Sequence, residues 1–138
     1  MADPKPPTTT ELVWTGELRF GATTGKNAVV VDGDGSAGPS PMELVAAGVA
    51  GCMAVDVVSI LRKGRHPLKG LRASFTGERL PEPPRRFTAI AIHFHVTGDV
   101  PDEAVSRAVD LSREKYCSAW NSLRQDITFT TAFTIIRE

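Results

Sequence analysis

The chain predicts an α+β fold with antiparallel sheet. Three observations carry that expectation: segments of period two come in pairs, helical segments fall between the pairs, and glycine and proline punctuate the joins. The expected order is β-β-α-β-β-α-α-β. At 138 residues there is room for one hydrophobic core, and 41% apolar with 23% charged residues are ordinary globular proportions. A single domain is expected over 12–138. Before it, 1–11 reads as a flexible tail, with three prolines and three threonines in Met1 to Thr10 and no apolar stretch of a signal peptide.

Each element has its own warrant. Leu12 to Phe20 reads as a strand, Gly21 to Gly25 as a turn and Asn27 to Val31 as a second strand. Asp32 to Pro39 is a glycine-rich loop whose spacing does not fit a dinucleotide site, and no βαβ unit surrounds it. A helix then starts with Ser40 as cap, Pro41 in the first helical position and Glu43 placed for a capping box. It runs through Leu44, Val45, Val49, Met53, Val57, Val58 and Ile60 to about Lys63, with Gly64 as its stop. Its first half is apolar nearly all round, which predicts burial on most faces. Ala46, Ala47, Gly48, Ala50 and Gly51 make it thin, so another backbone can approach. A lone chain struggles to cover such a helix, and a dimer is expected.

Further on, Leu71, Ala73 and Phe75 alternate with Arg72, Ser74 and Thr76. Ile90, Ile92, Phe94 and Val96 alternate with Ala89, Ala91, His93 and His95, and Ile127, Phe129, Phe133 and Ile135 repeat the pattern near the C-terminus. Between the last two strands, Asp102 to Tyr116 predicts a helix with Val105, Ala108, Val109 and Ser112 on one face. Ser118 to Leu123 predicts a short further helix.

Charge and composition exclude some functions. Sixteen basic residues balance sixteen acidic ones, so nothing favours nucleic acid or an anionic membrane as partner. The one basic cluster, Arg79 with Arg85-Arg86, is broken by prolines and reads as a solvated turn. The longest apolar run, Leu44 to Val55, is too short to span a bilayer and is followed by Asp56. The expected location is the cytoplasm, where two cysteines are reduced thiols or a transient redox pair rather than a permanent disulfide.

The functional question centres on Cys52 and Cys117, the only two cysteines. Cys52 lies deep in the first helix, where the helix dipole contributes little, and Asp56 one turn on disfavours a thiolate if it faces the same way. Its local setting suits a small buried hydrophobe; nucleophilic use requires a cation brought in by the fold. Cys117 stands at a helix end, with Arg113 and Lys115 close and backbone amides freed by the break. It reads equally as a thiol packed beside Tyr116 and Trp120. The pair is not a CxxC motif. His93 and His95 share a strand face and, with the cysteines, make a conceivable ligand set, but no zinc spacing is present and no metal or other cofactor is expected. Glu43, Asp56, Glu78 and Glu114 show no acid–base spacing.

These residues resemble a known family. Ser40-Pro41-Met42-Glu43-Leu44 through Ala47-Gly48-Val49-Ala50-Gly51-Cys52, continuing Ala54 to Leu61, is similar to the first cysteine helix of the OsmC/Ohr family of osmotically induced and organic-hydroperoxide-resistance proteins. Gly77-Glu78-Arg79 with Pro84 and Phe87-Thr88, the stretch His93 to Gly98, and Arg107 to Ser112 with Glu114-Lys115-Tyr116-Cys117-Ser118 agree with it. The wording is most similar to the OsmC-like branch typified by YhfA.

The resemblance implies an intertwined homodimer whose antiparallel sheets pack round a central, buried, cysteine-bearing helix. It also implies peroxiredoxin-like reduction of hydroperoxides in the oxidative stress response. Cys52 is then the peroxidatic thiolate, Cys117 condenses with its sulfenic acid, and an external dithiol reduces the disulfide. The peroxidase branch has a glutamate directly after the proline that opens the helix, and an arginine in the turn after the first strand. Here Met42 follows the proline and Glu43 stands one later, as the candidate activating carboxylate. Gly21 to Asn27 offers Lys26 alone, with Arg19 earlier in the strand; Arg79, Glu114 and Lys115 are further candidate charges. The alternative on the same fold is a small-molecule-binding or otherwise thiol-reactive protein.

Overall fold

The computed structural model describes residues 3–138. It holds two compact units, one ending at Val45 and one running Ala46–Glu138. Of the expected tail 1–11, positions 1–2 lie outside the described residues, while Thr10 and Glu11 already belong to a strand.

The first unit is an antiparallel meander of β1 (Thr10–Gly16), β2 (Arg19–Thr24) and β3 (Asn27–Asp32), in spatial order β1-β2-β3. The single strand expected over Leu12 to Phe20 is therefore two. Gly16 at φ 133° and Glu17 at φ 49° reverse the chain between them. Gly21 to Thr24 lies within β2, and the turn is confined to Gly25 and Lys26, with Gly25 at φ 60°. The apolar–polar alternation runs through the reversal unbroken, so Gly16, an isolated glycine inside a strand pattern, is its only local mark. Ala22 and Val31 are buried, but Leu12, Val13, Trp14, Leu18, Val29 and Val30 are exposed.

The loop after β3 is organised by Asp32, whose side chain is buried. Its carboxylate accepts from the amides of Asp34 (2.9 Å) and Ala37 (2.9 Å) and from Ser36 Oγ (3.0 Å), with Arg19 Nε at 3.5 Å. These donors, the Ala37 amide foremost, bring its pKa down to about 2 against the penalty of burial.

Helix α1 covers Pro41–Lys63. The capping box forms as expected: the Ser40 amide donates to Glu43 Oε1 at 2.9 Å, and the Glu43 amide donates to Ser40 Oγ at 3.2 Å. At the other end it is Arg65, not Gly64, that takes the left-handed conformation, at φ 60°. The Arg65 amide reaches Arg62 O at 2.9 Å and the His66 amide reaches Leu61 O at 3.1 Å, the two bonds of a Schellman motif.

The second unit contains β4 (Leu68–Arg79), β5 (Phe87–Gly98) and β6 (Thr128–Ile136), in spatial order β4-β5-β6. β4 and β5 form the expected antiparallel hairpin, whereas β6 runs parallel to β5, so this sheet is mixed rather than antiparallel. The helical connection between β5 and β6 supplies the crossover that a parallel neighbour needs. That connection is α2 (Asp102–Leu111), a π-helical turn (Ser112–Tyr116) and α3 (Ser118–Asn121), in place of one helix to Tyr116. Ile90, Ile92, Phe94 and Val96 of β5 are buried, as are Val105, Ala108 and Val109 of α2. Trp120 meets Phe129 edge-on, with ring centroids 4.3 Å apart.

Burial along α1 departs from expectation. Val49, Met53, Val57 and Leu61, spaced by four, form one fully buried stripe, while Val55 is 68% exposed. A Cβ added at Gly48 or Gly51 meets nothing within 4 Å. Within this chain, then, the helix is covered on one side and its thin face is open. Taken over its full 23 residues, α1 is long and apolar enough to cross a bilayer, unlike the run Leu44 to Val55 alone. The core helix of a water-soluble protein meets the same measure; here the buried residues form a stripe on one side of the helix.

Candidate functional site

Cys52 and Cys117 come together. Both are free thiols, Cys52 partly buried and Cys117 fully so, and the two are close enough for Cys52 to act on the Cys117 thiol. Cys52 is carried by α1 about three turns in. Cys117 is set by the π-helical turn. Its amide donates to Ser112 O at 2.7 Å, closing that turn, and its backbone then becomes extended at φ −72°, ψ 99°. It caps α3: the Trp120 amide donates to Cys117 Sγ at 3.3 Å, and Asn121 donates to Cys117 O through its amide (3.1 Å) and its Nδ2 (2.9 Å).

Two polar side chains join the thiols. Ser112 is completely buried, and its Oγ donates to Asp56 Oδ2 at 2.8 Å. Asp56 stands one helical turn beyond Cys52, and the side it takes is the thiol side. Burial pushes the Cys117 thiol up to about 11. The Trp120 amide opposes that rise, while neighbouring Cys52 and the Asp56 carboxylate add to it. The permanent charge acting on Cys117 is thus a carboxylate, not Arg113 or Lys115. Arg113 stacks on the Phe129 ring at 4.7 Å, and Lys115 lies over Tyr116 at 5.3 Å. A cavity of about 320 Å³ opens alongside, lined by Asp56, Ser59, Ile60, Lys63, Leu111 and Tyr116.

The other candidates have other work. Glu43 is held by Ser40 in the capping box, about two and a half turns before Cys52 on the same helix. That bond, to the Ser40 amide above all, holds its carboxyl below the usual range. Arg19 faces Asp32 and Glu17, and Arg79 Nε donates to Arg85 O at 2.7 Å within its own turn. His93 Nε2 pairs with Thr134 Oγ1 at 2.7 Å, and its ring stacks on His95 with centroids 4.4 Å apart. Burial, then Arg72 and His93, lower the His95 pKa. Among the described residues no three His, Cys, Asp or Glu side chains gather as metal ligands. The pairing of Ser112 with Asp56 escaped the sequence reading, which had left the direction of Asp56 open. The available signal was a serine at a core position of the α2 face.

With this geometry in view, the comparisons are specific. Residues 33–132 match the family model described as OsmC-like protein. The chain belongs to the OsmC-like family. Protein YhfA of Escherichia coli is 44% identical to this OsmC-like chain over 126 residues, covering 89% of the chain and 94% of YhfA. A hypothetical protein from Aquifex aeolicus shares its fold with a TM-score of 0.90 at 28% identity, covering 97% of this chain and 99% of that one. An organic hydroperoxide resistance protein OsmC from Legionella pneumophila matches with a TM-score of 0.71 at 18% identity, over 96% and 99% of the two chains; that likeness is one of fold.

Proposed function

We propose that this OsmC-like chain is a thiol-dependent hydroperoxide reductase working through a Cys52–Cys117 couple. The observation that supports it most is the nearness of two free thiols far apart in sequence, one partly and one fully buried. Cys52 as thiolate attacks the distal peroxide oxygen. The O–O bond breaks, the alcohol leaves after taking up a proton, and Cys52 is left as a sulfenic acid. Cys117 then attacks that sulfur; its proton goes to the departing hydroxide, which leaves as water, and the disulfide forms. An external dithiol returns both thiols by exchange. The Legionella protein of the same fold, described as an organic hydroperoxide resistance protein, is in keeping with that substrate class.

The same reading includes a homodimer in the cytoplasm. The open face of α1, with Val55, Gly48 and Gly51, and the exposed apolar residues of β1–β3 are surfaces that a second copy would cover. Glu43 and Arg19 are each held by their own neighbours, so turnover should be slow for a peroxidase. The test is consumption of cumene hydroperoxide with dithiothreitol as reductant. Wild type should turn over and Cys52→Ser should not. In a single turnover without reductant, Cys117→Ser should accumulate a dimedone-reactive sulfenic acid. Equal consumption by wild type and Cys52→Ser, or none by wild type, contradicts the reading.

A further inference from the structure

We propose that Asp56 and Ser112 are positioning residues that pin the π-helical turn and so hold Cys117 against Cys52. The inference deepens the thiol reading above and rests on it for its biological sense. The chain of contacts is continuous. Cys52 and Asp56 are one turn apart on α1; Asp56 Oδ2 accepts from buried Ser112 Oγ at 2.8 Å; Ser112 O accepts from the Cys117 amide at 2.7 Å. Ser112 is therefore held at both ends, by its hydroxyl to the helix of one cysteine and by its carbonyl to the other cysteine itself. Ser112 and Asp56 lie 56 positions apart in sequence, so the bond ties two separate segments together.

A π-turn is the less stable wind. Without a tie it relaxes toward the α-helical one, in which the residue after it is rotated by about 100°. Such a rotation turns Cys117 away from Cys52. The effective concentration of one thiol at the other depends on that orientation. A hydrogen bond to a charged acceptor is strong enough to bias the equilibrium by about tenfold or more.

The experiment is the equilibrium between the reduced and disulfide forms of the protein in buffers of reduced and oxidised glutathione at pH 7. Oxidised glutathione takes up both thiol hydrogens and leaves as two reduced molecules as the protein S–S bond forms. Asp56→Ala and Ser112→Ala should each lower the effective concentration of the pair by about tenfold or more. Asp56→Asn keeps an oxygen that accepts from Ser112 Oγ, and should fall by less than about threefold. Ser112→Ala removes a single oxygen, so it remains informative if Asp56→Ala does not fold. Wild-type values in Ser112→Ala, or a loss in Asp56→Asn as large as in Asp56→Ala, would overturn the pin. Because no peroxide is present, the outcome is separate from the proposed reaction. Peroxide turnover with an unshifted equilibrium sinks the pin alone, and the predicted pattern without peroxide turnover sinks the reaction alone.

Discussion

Asp56 lies within α1 and Cys117 in the extended joint after the π-helical turn, yet the carboxylate of one acts on the thiol of the other. The effect is opposite to thiolate activation. Burial above all, with neighbouring Cys52 and the Asp56 carboxylate, keeps Cys117 protonated well beyond the ordinary cysteine range. A thiol so held is a poor nucleophile toward peroxide, and as a resolving thiol it has to give up its proton as it attacks the sulfenic sulfur. It is in keeping with the division of labour proposed for Cys52 and Cys117.

The pH dependence has a definite sign. Cys117 is raised from 9.0 to about 11, so its contribution to stability is fully present below pH 9 and is lost as pH rises through 11. The loss is on the order of 2 kcal/mol by the upper end of that window. Urea unfolding of the reduced protein across pH 8–11 checks it. Asp56→Asn should lower the titration of Cys117 by a small part of its displacement, burial holding the rest, read by thiolate absorbance in a Cys52→Ser background. An unmoved titration would mean that Asp56 does not act on the thiol.

Asp32 has the reverse sign. Its pKa is lowered to about 2 by the amides of Ala37 and Asp34 and by Ser36, so its contribution is present above about pH 4 and lost as pH falls through 2. Asp32→Asn places an amide group where donors already converge on Oδ2, and should lower the Tm at pH 7 with a smaller deficit at pH 2. A deficit that is the same at both pH values would show that the charge of Asp32 is not what holds the loop.

Gly51 distinguishes a lone helix from a covered one. In an exposed helix interior, Gly51→Ala raises stability by about 1 kcal/mol. If a second copy packs on the open face of α1, the added methyl costs about 1–3 kcal/mol at the contact, weakening the dimer by about tenfold or more. Sedimentation equilibrium of wild type and Gly51→Ala separates the cases. The account predicts a wild-type dimer that Gly51→Ala loosens; a monomer stabilised by the substitution contradicts it.

Local rules made much of this molecule legible. Period two marked β4 and β5, and the capping box placed the start of α1, because both depend on residues a few positions apart. The parallel placement of β6 depends on where a crossover returns the chain, which no local pattern in Thr128–Ile136 encodes. The π-turn adds one residue to a helical wind, too small a phase change to show across Ser112–Tyr116. At the site, the two cysteines were legible as candidates, but their contact was not, because it arises from packing α1 against that turn. Asp56 was recognised as unfavourable to a thiolate if it turned inward. Only the partner, buried Ser112, shows that it does.

The central claim is the Cys52–Cys117 couple. It is tested most directly by intact-mass measurement after one equivalent of cumene hydroperoxide, thiol blocking and peptide mapping. The account predicts loss of two hydrogens, mapped to a Cys52–Cys117 disulfide and reached faster than with hydrogen peroxide. Two blocked thiols and an otherwise unchanged mass after several minutes would contradict it.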